Sequence, residues 1–338
     1  MIGDWDATAG TGAVGAGDAA VPSYDELPPA ERGGRSGWGV FGPLDSVGRL
    51  NLQTPERVLA AARLIRRGAV FPLDAALDAV DPPVDADRGL PRHRVLYKPV
   101  LPDIEDFDDV YDNFYPQTSS QWDSLGHVAY APGVFYNGAT AGDVLAGERN
   151  TVDHWARKGI AGRAVLLDVE RALVESGRPY SPRGATAFSV TDLELARERA
   201  NVSFSAGCTV LLRTGFLGWY CGQPYESRAA IARHLEAPGV EHTEAMARYL
   251  WDSGIVAIAS DTYAVEVWPP DFSKEAFPFG FLHRMLIGQL GMALGELWSL
   301  DALAADCAED GVYECFLTSA PLNARGGIGS PPNALAIK

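Results

Sequence analysis

Between Gln117 and His127 the chain reads Gln-Thr-Ser-Ser-Gln-Trp-Asp-Ser-Leu-Gly-His, which sets two amides, a carboxylate and an imidazole beside a tryptophan. Such groups serve two kinds of chemistry. Carboxylate and imidazole hold divalent cations, and an imidazole with its ordinary pKa of about 6.5 moves protons at neutral pH. Gln117, Gln121 and Asp123 suit one side of an irregular segment, with His127 four residues after Asp123. His127 is the candidate general acid and base; the competing reading has it bonding backbone to hold the turn at Gly126. Trp122 and Tyr136 are candidate pocket walls, or else core. Asn137 is a candidate amide donor to a substrate carbonyl, or else a turn residue before Gly138.

The eleven residues resemble the signature of the cyclase family, the kynurenine-formamidase-like metal hydrolases, His-x-Gly-Thr-His-x-Asp-x-Pro-x-His. On that pattern the two early histidines fall on Gln117 and Gln121, the Asp on Asp123 and the last His on His127. A second stretch, Trp38-Gly39 through Asp45-Ser-Val-Gly-Arg-Leu-Asn51 to Thr54-Pro55-Glu56, is similar to the start of the longer members. The likeness therefore runs from about Trp38 to the C-terminus. The resemblance implies that a late His and Glu, here His283 and Glu296, complete a cation site with Asp123, and that His127 stands beside it. Glu296 lies in the apolar stretch Leu294–Leu300, where a carboxylate is costly to bury without a partner. A cation would be one such partner, Arg213 or Arg284 another.

Asp123, His283 and Glu296 make an oxygen and nitrogen set for one Zn²⁺ or Mn²⁺, with the amide oxygen of Gln121 as a fourth donor. Amides are weak neutral ligands, so one loosely held ion is expected where relatives hold two. The implied activity is metal-assisted hydrolysis of an amide, imide or lactone acyl bond in a small molecule, or the reverse ring closure. Two other readings stand. One is a metal-free cyclase or isomerase using Gln117, Gln121, Asp123 and His127; the other is a pseudoenzyme that binds a small molecule.

Formal charge is −16 over 338 residues, which repels nucleic acid and anionic membranes. No apolar run reaches the roughly 18 residues of a membrane span. Asp4 and Asp6 stand where a secretory signal has a basic region, so a cytoplasmic protein is expected. The four cysteines lack CxxC spacing and read as buried reduced thiols. Gly-x-Ser-x-Gly is absent, so a serine mechanism has no support.

These groups need a scaffold. Residues 1 to 22 read as a flexible arm and 23–338 as a single catalytic domain. Thr54 and Pro55 open a helix that Gly68 closes, with Val58, Leu59, Ala62 and Ile65 as its apolar stripe. Residues 74 to 113 read as long loops with one or two strands, and the carboxylates from Asp103 to Asp112 as a solvated acidic face. Buried strands at Ala164–Leu167, Thr209–Leu212 and Ile255–Ala259 alternate with helices, which predicts an α/β fold. Their polar ends, Asp168, Arg213 and Asp261, sit where α/β folds gather functional groups. Arg213 is thus a substrate-binding candidate with Gln117, although structural ion pairing competes. Helices are expected over about Glu241 to Trp251 and His283 to Leu297, and a last strand near Ala334–Ile337. The Gly326–Pro331 loop either offers backbone N–H groups to a substrate or simply connects. The resemblance implies the family's swivelling β/β/α architecture, a mixed sheet with a small barrel-like portion and outer helices, in homodimers or homotetramers.

Overall fold

A computed structural model describes residues 21–101 and 103–338; the expected N-terminal arm lies almost wholly outside the described residues. Thirteen strands are present among them: β1 (Val70–Pro72), β2 (Arg92–Leu101), β3 (Ile104–Asp112), β4 (Gln121–Asp123), β5 (Ile160–Asp168), β6 (Ala187–Phe188), β7 (Thr209–Arg213), β8 (Gly239–Val240), β9 (Ala257–Ser260), β10 (Ala293–Glu296), β11 (Glu314–Ser319), β12 (Gly329–Ser330) and β13 (Ala334–Ile337). Nine form one mixed sheet in the order β1-β13-β11-β5-β7-β9-β10-β4-β12, curled into a half-barrel with helices outside.

The central strands β5, β7, β9 and β10 run parallel, and the flanks pair antiparallel. Their sequences explain the division. Ala164–Leu167, Val210–Leu212 and Ala257–Ala259 are unbroken apolar runs, suited to strands covered on both faces, and all are buried. The expected strands are present; β7 and β9 fall within two residues of their predicted bounds, and β5 begins four residues earlier than predicted. On the antiparallel flank, β11 alternates buried and half-buried residues along its length, the pattern of a strand with one covered face.

Local chemistry sets the helices. Thr54 accepts from the backbone N–H of Arg57 and Pro55 takes the first helical position, so the helix Pro55–Ala62 starts where expected. Its predicted stripe is not what it buries. The two turns pack on β5 through Ala61, while Leu59 is 66% exposed, because the small residue lets the helix approach the sheet closely. Thr243 caps the later helix, which therefore begins at Glu244 and runs to Asp252.

The helix expected over His283 to Leu297 does not form. Only His283–Leu286 is helical, and the chain then enters β10. Gly291 shows why: its φ is +61°, and an added Cβ would stand 2.4 Å from Cε2 of Tyr136. A left-handed residue breaks the helix there, and β10 delivers Glu296 into the sheet.

β2 and β3 pair only with each other, as an exposed ribbon. Its acidic strand is matched across by basic groups: Asp109 meets His93 at 2.6 Å, Asp112 meets Arg94 at 3.1 Å, and Asp108 pairs with Lys98. Cysteines 208, 307 and 315 are buried thiols, and Cys221 is exposed. No helix among the described residues is long and apolar enough to cross a membrane.

Candidate functional site

β4 is three residues long, and its alternation sorts the central motif. Gln121 and Asp123, two residues apart, project to one side of the sheet, and Trp122 to the other. Antiparallel pairing with β10 places Glu296 directly opposite Gln121, and directly opposed residues share a face. Gly329 of β12 lies opposite Asp123. A Cβ there would stand 2.3 Å from Cγ of Gln117, so the glycine makes room for that side chain. The glycine-rich loop is thus an edge strand bordering the site.

The three groups that meet on this face are Asp123, His283 and Glu296. All are buried, and a ligand atom of each lies within 4.8 Å of the others. The carboxylate of Glu266 accepts from His283 Nδ1 and from the backbone N–H of His283 (2.9 Å), which aims Nε2 at Glu296 Oε1, 3.1 Å away. His242 reaches the other oxygen of Glu266 at 2.8 Å. Phe281 stacks flat on His283, centroids 4.8 Å apart and planes 11° apart.

The amides are oriented by what they touch. Gln117 Nε2 lies 2.5 Å from Asp123 Oδ1 and 3.2 Å from His127 Nδ1. A carboxylate oxygen accepts, so the atom facing it is the NH₂ group, and its second hydrogen goes to His127. That leaves the His127 proton on Nε2, 3.7 Å from Asp123 Oδ1. Gln121 Nε2 donates to Glu296 Oε2 at 2.5 Å, and Gln121 Oε1 accepts from Arg88 Nη1 at 3.2 Å. The oxygen expected to ligate a cation is therefore turned toward a guanidinium instead.

Burial dominates the electrostatics. It lowers His127 below the ordinary histidine range, with Asp123 opposing and His283 adding to the shift. Burial and the charge of Asp123 raise Glu296 to about 7, against the bond from His283. Burial works to neutralise His283, but bonds to the carboxylates of Glu266 and Glu296 and their charges overcome it and raise its pKa to about 10. Burial likewise opposes the Glu266 charge, yet bonds from His242 and His283 keep its carboxyl below the usual range. Asp123 Oδ2 has no hydrogen-bond partner although it is buried. An orphaned carboxylate oxygen beside an oriented imidazole and a second carboxylate is a donor set that fits one divalent cation.

Four predicted substrate contacts lie elsewhere. Trp122 is core: it packs edge-on against Trp155 and Trp298, and its Nε1 donates to Ser319. Tyr136 is buried with its hydroxyl donating to Asp45. Asn137 has φ +57°, a left-handed turn position, and its amide binds Gly39, Gly42 and Asp45 backbone. Arg213 pairs with Asp168, Glu170 and Asp301, as the competing ion-pair reading had it, and lines a separate surface cleft. Nor does Glu296 use Arg213 or Arg284 as partner; His283 and Gln121 fill that role.

Sequence reasoning missed Arg88, Glu266 and Tyr263. Glu266 had a signal, a carboxylate inside the apolar run Val265-Glu-Val267, the same argument that marked Glu296. Arg88, in an acidic proline-rich stretch, had none. Tyr263 lies near enough to Glu296 that its charge, after burial, helps raise the phenol. Val265 and Leu297, next to the two glutamates, both have positive φ (+59° and +55°), conformations that strain apolar side chains and gather at functional sites.

The chain belongs to the cyclase family: the family model described as "Putative cyclase" matches residues 70–267. Among solved structures, it is similar to a novel cyclase at 29% identity and TM-score 0.79, over 90% of this chain and 99% of that one. It shares the fold of isatin hydrolase A from Labrenzia aggregata, bound there to benzyl benzoate, at 17% identity and TM-score 0.55, over 83% and 97% of the two chains. Isatin hydrolase A from Ralstonia solanacearum is similar at 20% identity and TM-score 0.50, over 84% and 98%. None of the curated proteins matches this chain.

Proposed function

We propose that this protein is a hydrolase, or in reverse a ring-closing cyclase, acting at an amide, imide or lactone acyl bond of a small molecule. One observation carries the reading: Asp123, His283 and Glu296 converge within 4.8 Å around an unpartnered carboxylate oxygen, with His127 3.7 Å from Asp123. These three side chains would hold one Zn²⁺ or Mn²⁺, which when bound polarises a carbonyl and acidifies water.

The protein's own groups account for the proton traffic. His127 holds a hydrogen on Nε2 and is the most exposed member of the cluster, its side chain 24% accessible. Transfer of that hydrogen to the leaving nitrogen or oxygen is concerted with return of a proton from the attacking water to the same nitrogen, so the ring never stands as an imidazolate. A C–O bond forms from water to the acyl carbon, the acyl C–N or C–O bond breaks, and the imidazole ends as it began. Gln117 holds the ring in this tautomer through Nδ1.

An aromatic row runs beside His283: Phe281, then Phe272 at 5.4 Å, Trp268 at 6.5 Å and Tyr263 at 4.9 Å, centroid to centroid. Phe272 is exposed, so the row leads inward from the surface, and flat apolar substrates suit it. The isatin hydrolases named above act on such a molecule.

The metal-free reading keeps one specific support. Both amides donate to the cluster's carboxylates, filling oxygens that a cation would otherwise take. To separate the two, protein purified without chelator is assayed for metal content and for turnover of cyclic aryl imides, formanilides and lactones. Stoichiometric Zn or Mn, with turnover lost on chelation and restored on adding metal, supports the cation reading. Turnover by metal-free protein overturns it.

A further inference from the structure

Arg88 lies between β1 and β2, its side chain 16% exposed. Its Nε faces Asp85 at 3.2 Å, and its Nη1 donates both to the backbone oxygen of Gln117 and to Oε1 of Gln121. A guanidinium has donors only, so what faces it on Gln121 must be the amide oxygen. At the other end of the same amide, Glu296 Oε2 needs a donor and finds Nε2 at 2.5 Å. Reversing the amide would set NH₂ against guanidinium and oxygen against carboxylate, two repulsions in place of two bonds. Swinging the side chain away is blocked as well. Gln121 is fully buried and in register with Glu296, and its own carbonyl accepts from Trp298 Nε1 at 2.9 Å.

We propose that Arg88 is a positioning residue that locks the Gln121 amide with its nitrogen on Glu296, and so weakens cation binding at the Asp123–His283–Glu296 cluster. The inference rests on the reading that this cluster takes a divalent ion. The lock acts in three ways. It turns the Gln121 amide oxygen toward the guanidinium and away from the cluster. It places an N–H on a glutamate oxygen for which an ion competes. It also adds a fixed positive charge across Gln121 from the site. With two imidazoles of the family pattern replaced by amides, one of them locked, a single weakly held ion is the capacity of this site.

Arg88→Met keeps length and removes both the donors and the charge. Zn²⁺ affinity of the chain, measured by chelator competition without substrate, should rise about tenfold, the scale of a unit charge several Å away in a partly exposed site. In the metal-free protein with ¹⁵N-glutamine, the Gln121 side-chain NH₂ pair, assigned by its loss in Gln121→Met, should be well resolved and slow to exchange. In Arg88→Met it should collapse toward solvent values. A folded Arg88→Met that binds Zn²⁺ no tighter than wild type, or whose Gln121 resonances do not move, overturns the proposal. If neither protein binds Zn²⁺ or Mn²⁺, the cation reading fails and so does the proposed effect on binding; the NH₂ spectrum then reports on the amide lock alone. Should Arg88→Met not fold, Arg88→Ala replaces it with the same readouts: altered Gln121 NH₂ resonances together with tighter Zn²⁺ binding support the lock, and unaltered resonances or unchanged affinity overturn it.

Discussion

Gln121 and Glu296 face each other across β4 and β10, amide nitrogen to carboxylate oxygen at 2.5 Å, although 175 residues separate them in the chain. The register of two short strands makes this contact. It joins the motif in the middle of the chain to the glutamate near its end, and the behaviour of the site depends on it.

Glu266 orients His283 without standing in the cluster itself. Replacing it by Gln keeps the shape and removes the charge that holds Nδ1–H. Metal affinity should fall about 10- to 100-fold, the usual effect of losing an outer partner of a ligating histidine. Chelator competition measures this; unchanged affinity would show that His283 is aimed by packing on Phe281 instead.

For His127→Asn the expected result is a drop in kcat of about 10²–10⁴ with KM nearly constant, since proton transfer is lost and substrate contacts are not. Steady-state kinetics on any substrate found by screening decides the matter. A rise in KM at constant kcat would assign His127 to binding.

Trp122→Ala should cost about 3–5 kcal/mol of stability, because a buried indole leaves a cavity among Trp155, Trp298 and Ser319. Denaturant unfolding gives the value. If the variant were as stable as wild type but bound substrate less well, Trp122 would be a pocket wall after all.

Acid should unfold the protein partly through Asp153 and Asp192. Burial pushes both carboxyls up, yet bonds from Thr151 and Arg157 to Asp153, and from Arg178 and Ser189 to Asp192, hold both below the usual range. A depressed folded pKa contributes stability that is complete above the unfolded value, about 4. It is lost as pH falls through the folded value. Asp153→Asn and Asp192→Asn should therefore lower Tm at pH 7 and make it less sensitive to pH below 4. A Tm at pH 7 equal to wild type would contradict this.

The sequence alone determined the parts that depend on local chemistry and composition. The apolar runs at 164–167, 209–212 and 255–259 read as buried strands, Thr54-Pro55 could open a helix, and a glutamate among leucines needed a partner. The eleven-residue motif marked the stretch that gives Asp123 and two amides to the buried cluster, since no solvated loop has cause to hold that mixture.

Tertiary structure decided the rest, because side-chain direction follows strand register, and register is set by contacts remote in sequence. Trp122 lies between two site residues yet faces away, since successive residues of a strand point to opposite faces. Asn137 and Arg213 were polar enough to bind a substrate, but their groups are used by a turn and by three carboxylates. Arg88 carried no sign in its own neighbourhood that it would reach Gln121. Only folding, which brings residues 88, 121 and 296 to one face of one sheet, settles which end of an amide meets the carboxylate.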